Sequence, residues 1–178
     1  YFLLREVPFG NDGDFSRRAM IHRVNSDLAN DLGNLVQRVL SMINKNCAGA
    51  LPEAGEASDD DAALLAQADG LLEAVRGCLD AQAFHEALEA IWTVVRAANA
   101  YVDRQAPWAL RKEEPARMGA VLRVLAETIR HLAIVLQPFM PGAAARILDQ
   151  LAVTADARGF DALGQGGRLA AGTMLPKP

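Results

Sequence analysis

The chain has 178 residues, enough for one substantial core, and its 51 % hydrophobic content with 6 % aromatics describes an ordinary globular protein. Its net charge is −4 and it carries no basic block, which argues against non-specific binding to long nucleic acid. Two cysteines, Cys47 and Cys78, without a C-x-x-C or a histidine at ligand spacing, exclude a structural zinc site and disfavour a disulfide framework. Both read as small helix-end or core residues in a reducing cytoplasm. No apolar run approaches the roughly 20 residues of a membrane span, and the N-terminus lacks a signal-peptide pattern. The charge is uneven. Glu53, Glu56, Asp59, Asp60 and Asp61 share a stretch without Lys or Arg; setting these five aside turns −4 into +1, leaving room for a locally basic surface.

The opening, YFLLREVPFGNDGDF, reads as the end of one element followed by a turn at Gly10–Gly13. It starts mid-pattern without an initiator Met, as a piece of a longer polypeptide would. Asp14 or Ser16 is a credible N-cap for a helical pattern that runs to about Asn46, with a break expected near Asn25-Ser26. Leu28, Leu32, Leu35, Val39 and Met42 follow a 4-3-4-3 spacing and share one face. The opposite face carries Asn30, Asn34, Arg38, Ser41 and Lys45. Gly33 sits mid-helix at a cost of about 1 kcal/mol against Ala, for which close approach of another backbone would be a reason. After a Gly/Pro/acidic connection, Asp59–Asp61 open a second helix running to about Leu79. A third follows from about Ala83 to Arg104, with Phe84, Leu88, Ile91, Val95 and Val102 apolar and Trp92 beside them as core. Beyond Pro107-Trp108, Ala109–Lys112 suit one short turn. Pro115 starts a fourth helix that ends near Leu136, and Pro141 a short fifth to about Leu151. The Gly/Ala-rich remainder predicts an extended tail lying on something else. The fold class that follows is all-α, an antiparallel bundle of about five helices.

Two features of this pattern can carry recognition chemistry. Asn34 and Arg38, at i and i+4, project side by side and present an amide and a guanidinium together, which suits the edge of a base. In NAYVDRQAPW (Asn99–Trp108), Pro107 biases Ala106 away from the helical region and leaves Trp108 on a fixed corner. A rigid aromatic there can stack an unpaired base for roughly 1–3 kcal/mol. The competing structural readings are a solvated polar face for the pair and a buried anchor for Trp108.

Catalytic constellations do not assemble. Glu127 is followed by Arg130 and His131, out of phase for a di-iron pair, and HEALE at 85–89 lacks the second histidine of a zinc protease. Gly164-Gln165-Gly166-Gly167 follows no strand, so it makes a poor phosphate loop. His22, His85 and His131 lie on different helices and read as surface or satisfied structural residues.

Taken together, YFLLREVPFGNDGDFS, NSDLANDLGNLVQRVLSM and NAYVDRQAPW resemble, in order and spacing, the C-terminal part of bacterial methionyl-tRNA synthetases, class I aminoacyl-tRNA synthetases. The resemblance implies that residues 17–151 are a helical-bundle anticodon-binding domain, 1–16 the end of the module joining it to the catalytic domain, and 152–178 an extended tail. It implies that the first anticodon base, the cytosine of CAU in methionine tRNA, stacks on Trp108 after Pro107 while Asn34 and Arg38 contact its polar edge. The family's HIGH-type and KMSKS motifs and its zinc insertion are not in this sequence. The parent ligase, using ATP and Mg, would therefore act through an upstream catalytic domain, and this fragment would hold no catalytic residue, metal or cofactor. The implied partners are tRNA and that catalytic domain, in the cytoplasm and with no membrane. A rival reading is a helical module that docks a protein beside Trp108.

Overall fold

The structure, a computed structural model, describes residues 1–177. Pro178, the last residue of the expected tail, lies outside the described residues. Helix α1 spans Phe2–Glu6 and α2 spans Arg17–Arg23; α2 is capped by Ser16, whose hydroxyl accepts the Ala19 N–H at 3.2 Å. The break expected at Asn25-Ser26 does not occur. α2 passes into a π-helical segment, Val24–Gly33, and that into α3, Asn34–Asn46. Ser26 does not cap anything: its hydroxyl donates to the Arg23 carbonyl at 3.5 Å and to the Asp27 carboxylate at 3.0 Å. The wider i+5 bonding absorbs the poor helix formers of VNSDLANDLG without ending the column. Gly33 closes this segment, and a Cβ there would stand 3.0 Å from the Leu28 carbonyl oxygen. The close approach is therefore to its own helix, not to a neighbour.

The second predicted helix is two, α4 Asp59–Asp69 and α5 Leu71–Asp80, divided at Gly70. Helix α6 spans Phe84–Gln105, α7 Pro107–Glu113, α8 Pro115–Leu136 and α9 Pro141–Gln150. Of the stripe expected on the first long helix, Leu32, Leu35 and Val39 are buried and Leu28 and Met42 half-buried. Val36, Leu40 and Ile43 are buried as well, because α3 meets both α6 and α8 and its core face is wider than one stripe.

Helix α8 is the centre of the bundle, not an outer amphipathic helix. From Met118 to Leu136 every residue except Arg123 is buried, charged ones included. A helix apolar all round must be surrounded, and α3, α4, α5, α6, α7 and α9 all pack on it. Its buried charges are paired on the spot. Glu127 Oε1 accepts Arg130 Nε at 2.8 Å and Nη2 at 2.5 Å, and His131 Nδ1 donates to the Glu127 carbonyl at 3.0 Å. The tail completes the set. Leu169 N–H donates to Glu127 Oε2 at 3.1 Å, and Arg130 Nη1 to the Ala162 carbonyl at 2.8 Å. The expected tail thus lies along the bundle itself, through single 3₁₀ turns at Ala155–Ala157, Phe160–Ala162 and Gln165–Gly167. It is pinned by an antiparallel bridge between Ala50 and Met174 and by the burial of Leu169 and Leu175.

A second polar knot fixes the start of α4. Ser58 and Asp61 form a reciprocal capping box, and Asp61, fully buried, also accepts Tyr101 Oη at 2.5 Å and Arg117 Nη2 at 2.8 Å. Burial by itself would raise the Asp61 carboxyl. The hydrogen bonds from Arg117, Tyr101 and Ser58 outweigh it and hold the group well below the ordinary aspartate range. Burial and the same carboxylate push the Tyr101 hydroxyl far up, so it remains a donor.

Because its folded-state value is depressed, Asp61 contributes stability that is fully present above its ordinary value of 3.8 and is lost as pH falls from there toward the folded value. Asp61→Asn should cost about 3 kcal/mol at pH 7, since Arg117 loses its partner. Urea unfolding should also show a shallower stability loss between pH 4 and pH 2 in the variant than in the native chain. Trp92, fully buried beside Tyr1 at a ring separation of 4.8 Å, should cost about 3–5 kcal/mol as Trp92→Ala in the same measurement.

Candidate nucleic-acid interface

The corner at 105–108 is built from one unusual residue. Ala106 adopts φ 41°, ψ 58°, ending α6 and starting α7 at once. A left-handed conformation costs a non-glycine residue roughly 1–2 kcal/mol. Neighbours hold it: Ala106 N–H donates to the Val102 carbonyl at 3.0 Å, and Ala109 N–H to the Ala106 carbonyl at 2.8 Å. Pro107 supplies the preset φ of a first helical residue and is buried. The expected short turn is therefore a seven-residue helix that includes Pro107 and Trp108.

The last turn of α6 is tied to neighbouring helices. Gln105 donates to Asp60 at 2.9 Å and accepts Arg117 Nη2 at 2.7 Å, and Arg117 in turn holds Asp61. These contacts join α6, α4 and α8 beneath the corner, so the tryptophan stands on a braced base.

Trp108 is 53 % exposed, whereas Trp92 is fully buried, so the two tryptophans have opposite roles. The Arg38 guanidinium lies over the Trp108 ring, 5.6 Å from its centroid. Such a pair at an exposed site contributes about 0.5–1 kcal/mol, enough to bias a side chain and not enough to lock it. Arg38 Nη2 also donates to Asp103 Oδ1 at 2.8 Å, across from α3 to α6. Asn34 is the first residue of α3 and Arg38 the fifth; Asn34 is exposed and Arg38 half-buried. The structure thus brings Arg38 and Trp108 together, places Asn34 one helical turn before Arg38, and uses Pro107 as the buried support. Asp103 belongs to this constellation and sequence reasoning missed it. Its pairing joins two helices, and helical periodicity carries no signal for contacts between helices.

The surface offers an indole face, a guanidinium with donors beyond the one engaged by Asp103, and an amide that can donate and accept. That combination can stack a planar group and read its polar edge. Phosphate-loop chemistry finds no support in the glycine run. A Cβ on Gly167 would lie 1.8 Å from the Ala162 carbonyl oxygen, so that glycine serves close packing. Among the described residues, no group of three or more His, Cys, Asp or Glu side chains could hold a metal ion, and no helix is long and apolar enough to cross a membrane.

Residues 51–178 match the family described as the anticodon binding domain of methionyl tRNA ligase, and residues 1–40 match the class I tRNA synthetases (M). The methionine–tRNA ligase of Brucella suis is 56 % identical over all of this chain and 34 % of its own length, and that of Mycobacterium tuberculosis is 54 % identical over all of it and 35 % of its own. The crystal structure of M. tuberculosis methionyl-tRNA synthetase bound by methionyl-adenylate superposes with a TM-score of 0.97 at 54 % identity, covering the whole chain and 36 % of that one. Its apo form gives 0.96. The chain spans about a third of the length of the curated relatives it matches. It belongs to the anticodon-binding domain family of methionyl-tRNA ligases.

Proposed function

We propose that this chain reads the CAU anticodon of methionine tRNA, with the first base stacked on Trp108 and its polar edge met by Asn34 and Arg38. The observation that carries the reading is the exposed Trp108, braced on its Pro107 corner and topped by the one arginine that shares its helix face with Asn34. Unstacked loop bases are read in this way, by an aromatic platform with edge donors beside it. In this reading residues 17–151 form the anticodon-binding bundle, 1–16 end the joining module and 152–178 are its tail.

The whole protein is then a methionine–tRNA ligase that uses ATP and Mg to attach methionine to its tRNA in the cytoplasm. That chemistry is supplied by the catalytic domain upstream, which is also the partner of the joining module. Support comes from the exposed apolar side chains of the first 24 residues, Leu3, Phe9, Phe15, Ile21 and Val24, which a docked domain would cover.

The test is binding of an anticodon stem-loop carrying CAU against the same loop with its cytosine changed. Native protein should prefer CAU, with affinity falling steeply as salt rises. Trp108→Ala should lose about 1–3 kcal/mol of binding and most of the preference, while its unfolding free energy falls by only about 1 kcal/mol, the scale of the lost Arg38 contact of a side chain half in solvent. Arg38→Gln should weaken the CAU loop and reduce the preference. Equal binding of both loops that persists at higher salt would overturn the anticodon reading in favour of protein docking beside Trp108.

A further inference from the structure

The two halves of the interface lie on different helices, Asn34 and Arg38 on α3 and Trp108 just past α6, so something must hold them in register. One contact across that gap is the Arg38–Asp103 pair, but its side chains are 38 % and 65 % exposed. Water and salt weaken such a pair, and a bound base would compete with it. A second hydrogen bond is half-buried. Asn99 Nδ2 on α6 donates to the Asp31 carbonyl at 3.1 Å while also donating to its own helix at Val95, again at 3.1 Å.

The position of that carbonyl matters. Asp31 lies in the π-helical segment, next to the point where the bonding tightens into α3. The backbone N–H of Asn34 is directed to the Ala29 and Asp31 carbonyls. A single carbonyl is therefore shared by the backbone of a base-reading residue and by a side chain of the helix that leads, nine residues later, to Trp108. Gly33, between them, is already tight against its own backbone, with a Cβ position 3.0 Å from the Leu28 oxygen. A change in the π-to-α junction would turn the start of α3, and with it Asn34 and Arg38, relative to the indole.

We propose that Asn99 is a positioning residue for anticodon reading: through the Asp31 carbonyl it fixes the start of α3, and so Asn34 and Arg38, against the Trp108 platform. This rests on the anticodon reading above. An uncharged amide–carbonyl bond is not screened by salt, so it holds the register where the exposed ion pair cannot.

The test compares Asn99→Leu, which keeps the volume and removes the donor, with Asn99→Gln, which keeps the amide, both in the full-length polypeptide. Amide hydrogen exchange should rise about tenfold from Asn34 to Arg38 in Asn99→Leu, the scale of one lost hydrogen bond, with amides in α8 unchanged. Preference for the CAU loop should fall about tenfold while affinity for the altered loop holds, and Asn99→Gln should recover part of both. Should Asn99→Leu fail to fold, Asn99→Ala carries the same comparison. Unchanged exchange over residues 34–38 in a folded variant overturns the positioning role, and so does an equal loss for both loops. The exchange readout needs no RNA. A native protein without CAU preference would instead overturn the reading beneath it.

Discussion

The structure depends on keeping one long helix, α8, inside the bundle with charge on it. Glu127, Arg130 and His131 have essentially no access to water. An unpaired charge there would cost several kcal/mol, so the burial is possible only with every group satisfied. The pairing starts within α8, where Glu127 and Arg130 are one turn apart. It cannot finish there, because a carboxylate and a guanidinium have more lone pairs and protons than each other can meet. The remaining partners come from the tail, at Leu169 and Ala162, and from Asp69 on α4, whose carboxylate lies 3.0 Å from His131 Nε2. The irregular tail is therefore a structural necessity. It carries the polar groups that another helix, with its own backbone already bonded, would not offer.

The same economy of braces shapes the proposed recognition surface. A fully buried core around Trp92 and Tyr101 supports the end of α6, and the Asp61–Arg117–Gln105 knot anchors that end from behind. The cost of the left-handed Ala106 is carried by this support, and Trp108 projects from it on a backbone with few alternatives. A platform that is rigid before binding loses little freedom on binding. On the facing helix the side chains are less constrained. Arg38 rests between Asp103 and the indole in two weak contacts.

Much of this was legible in the sequence. Capping at Ser16, the acidic first turn at Asp59–Asp61, prolines at 107, 115 and 141, and the stripe through Leu88, Ile91 and Val95 each located an element, because each is a local rule. The failures were local rules too, overridden by surroundings. Ser26 resembled a cap, but the column continued through it in π form. Gly70 divided what looked like one helix. Helix α8 was located by Pro115 and its end near Leu136, but nothing in its pattern showed that Glu127 and Arg130 would be buried with His131.

The sequence by itself determined the all-α class, the order of the long helices and which polar groups Asn34, Arg38 and Trp108 can offer, because periodicity, caps and proline act over a few residues of chain. It marked Trp108 as lying off the stripe and Trp92 as beside it, which is the difference between 53 % exposure and full burial. Only the tertiary structure decided that Arg38 lies over Trp108, that Asp103 and Asn99 bridge the helices bearing them, and that the tail closes the charges of α8. Those contacts join residues 32 to 70 positions apart; helical periodicity fixes which side of a helix a residue is on, and packing alone fixes which helix that side meets.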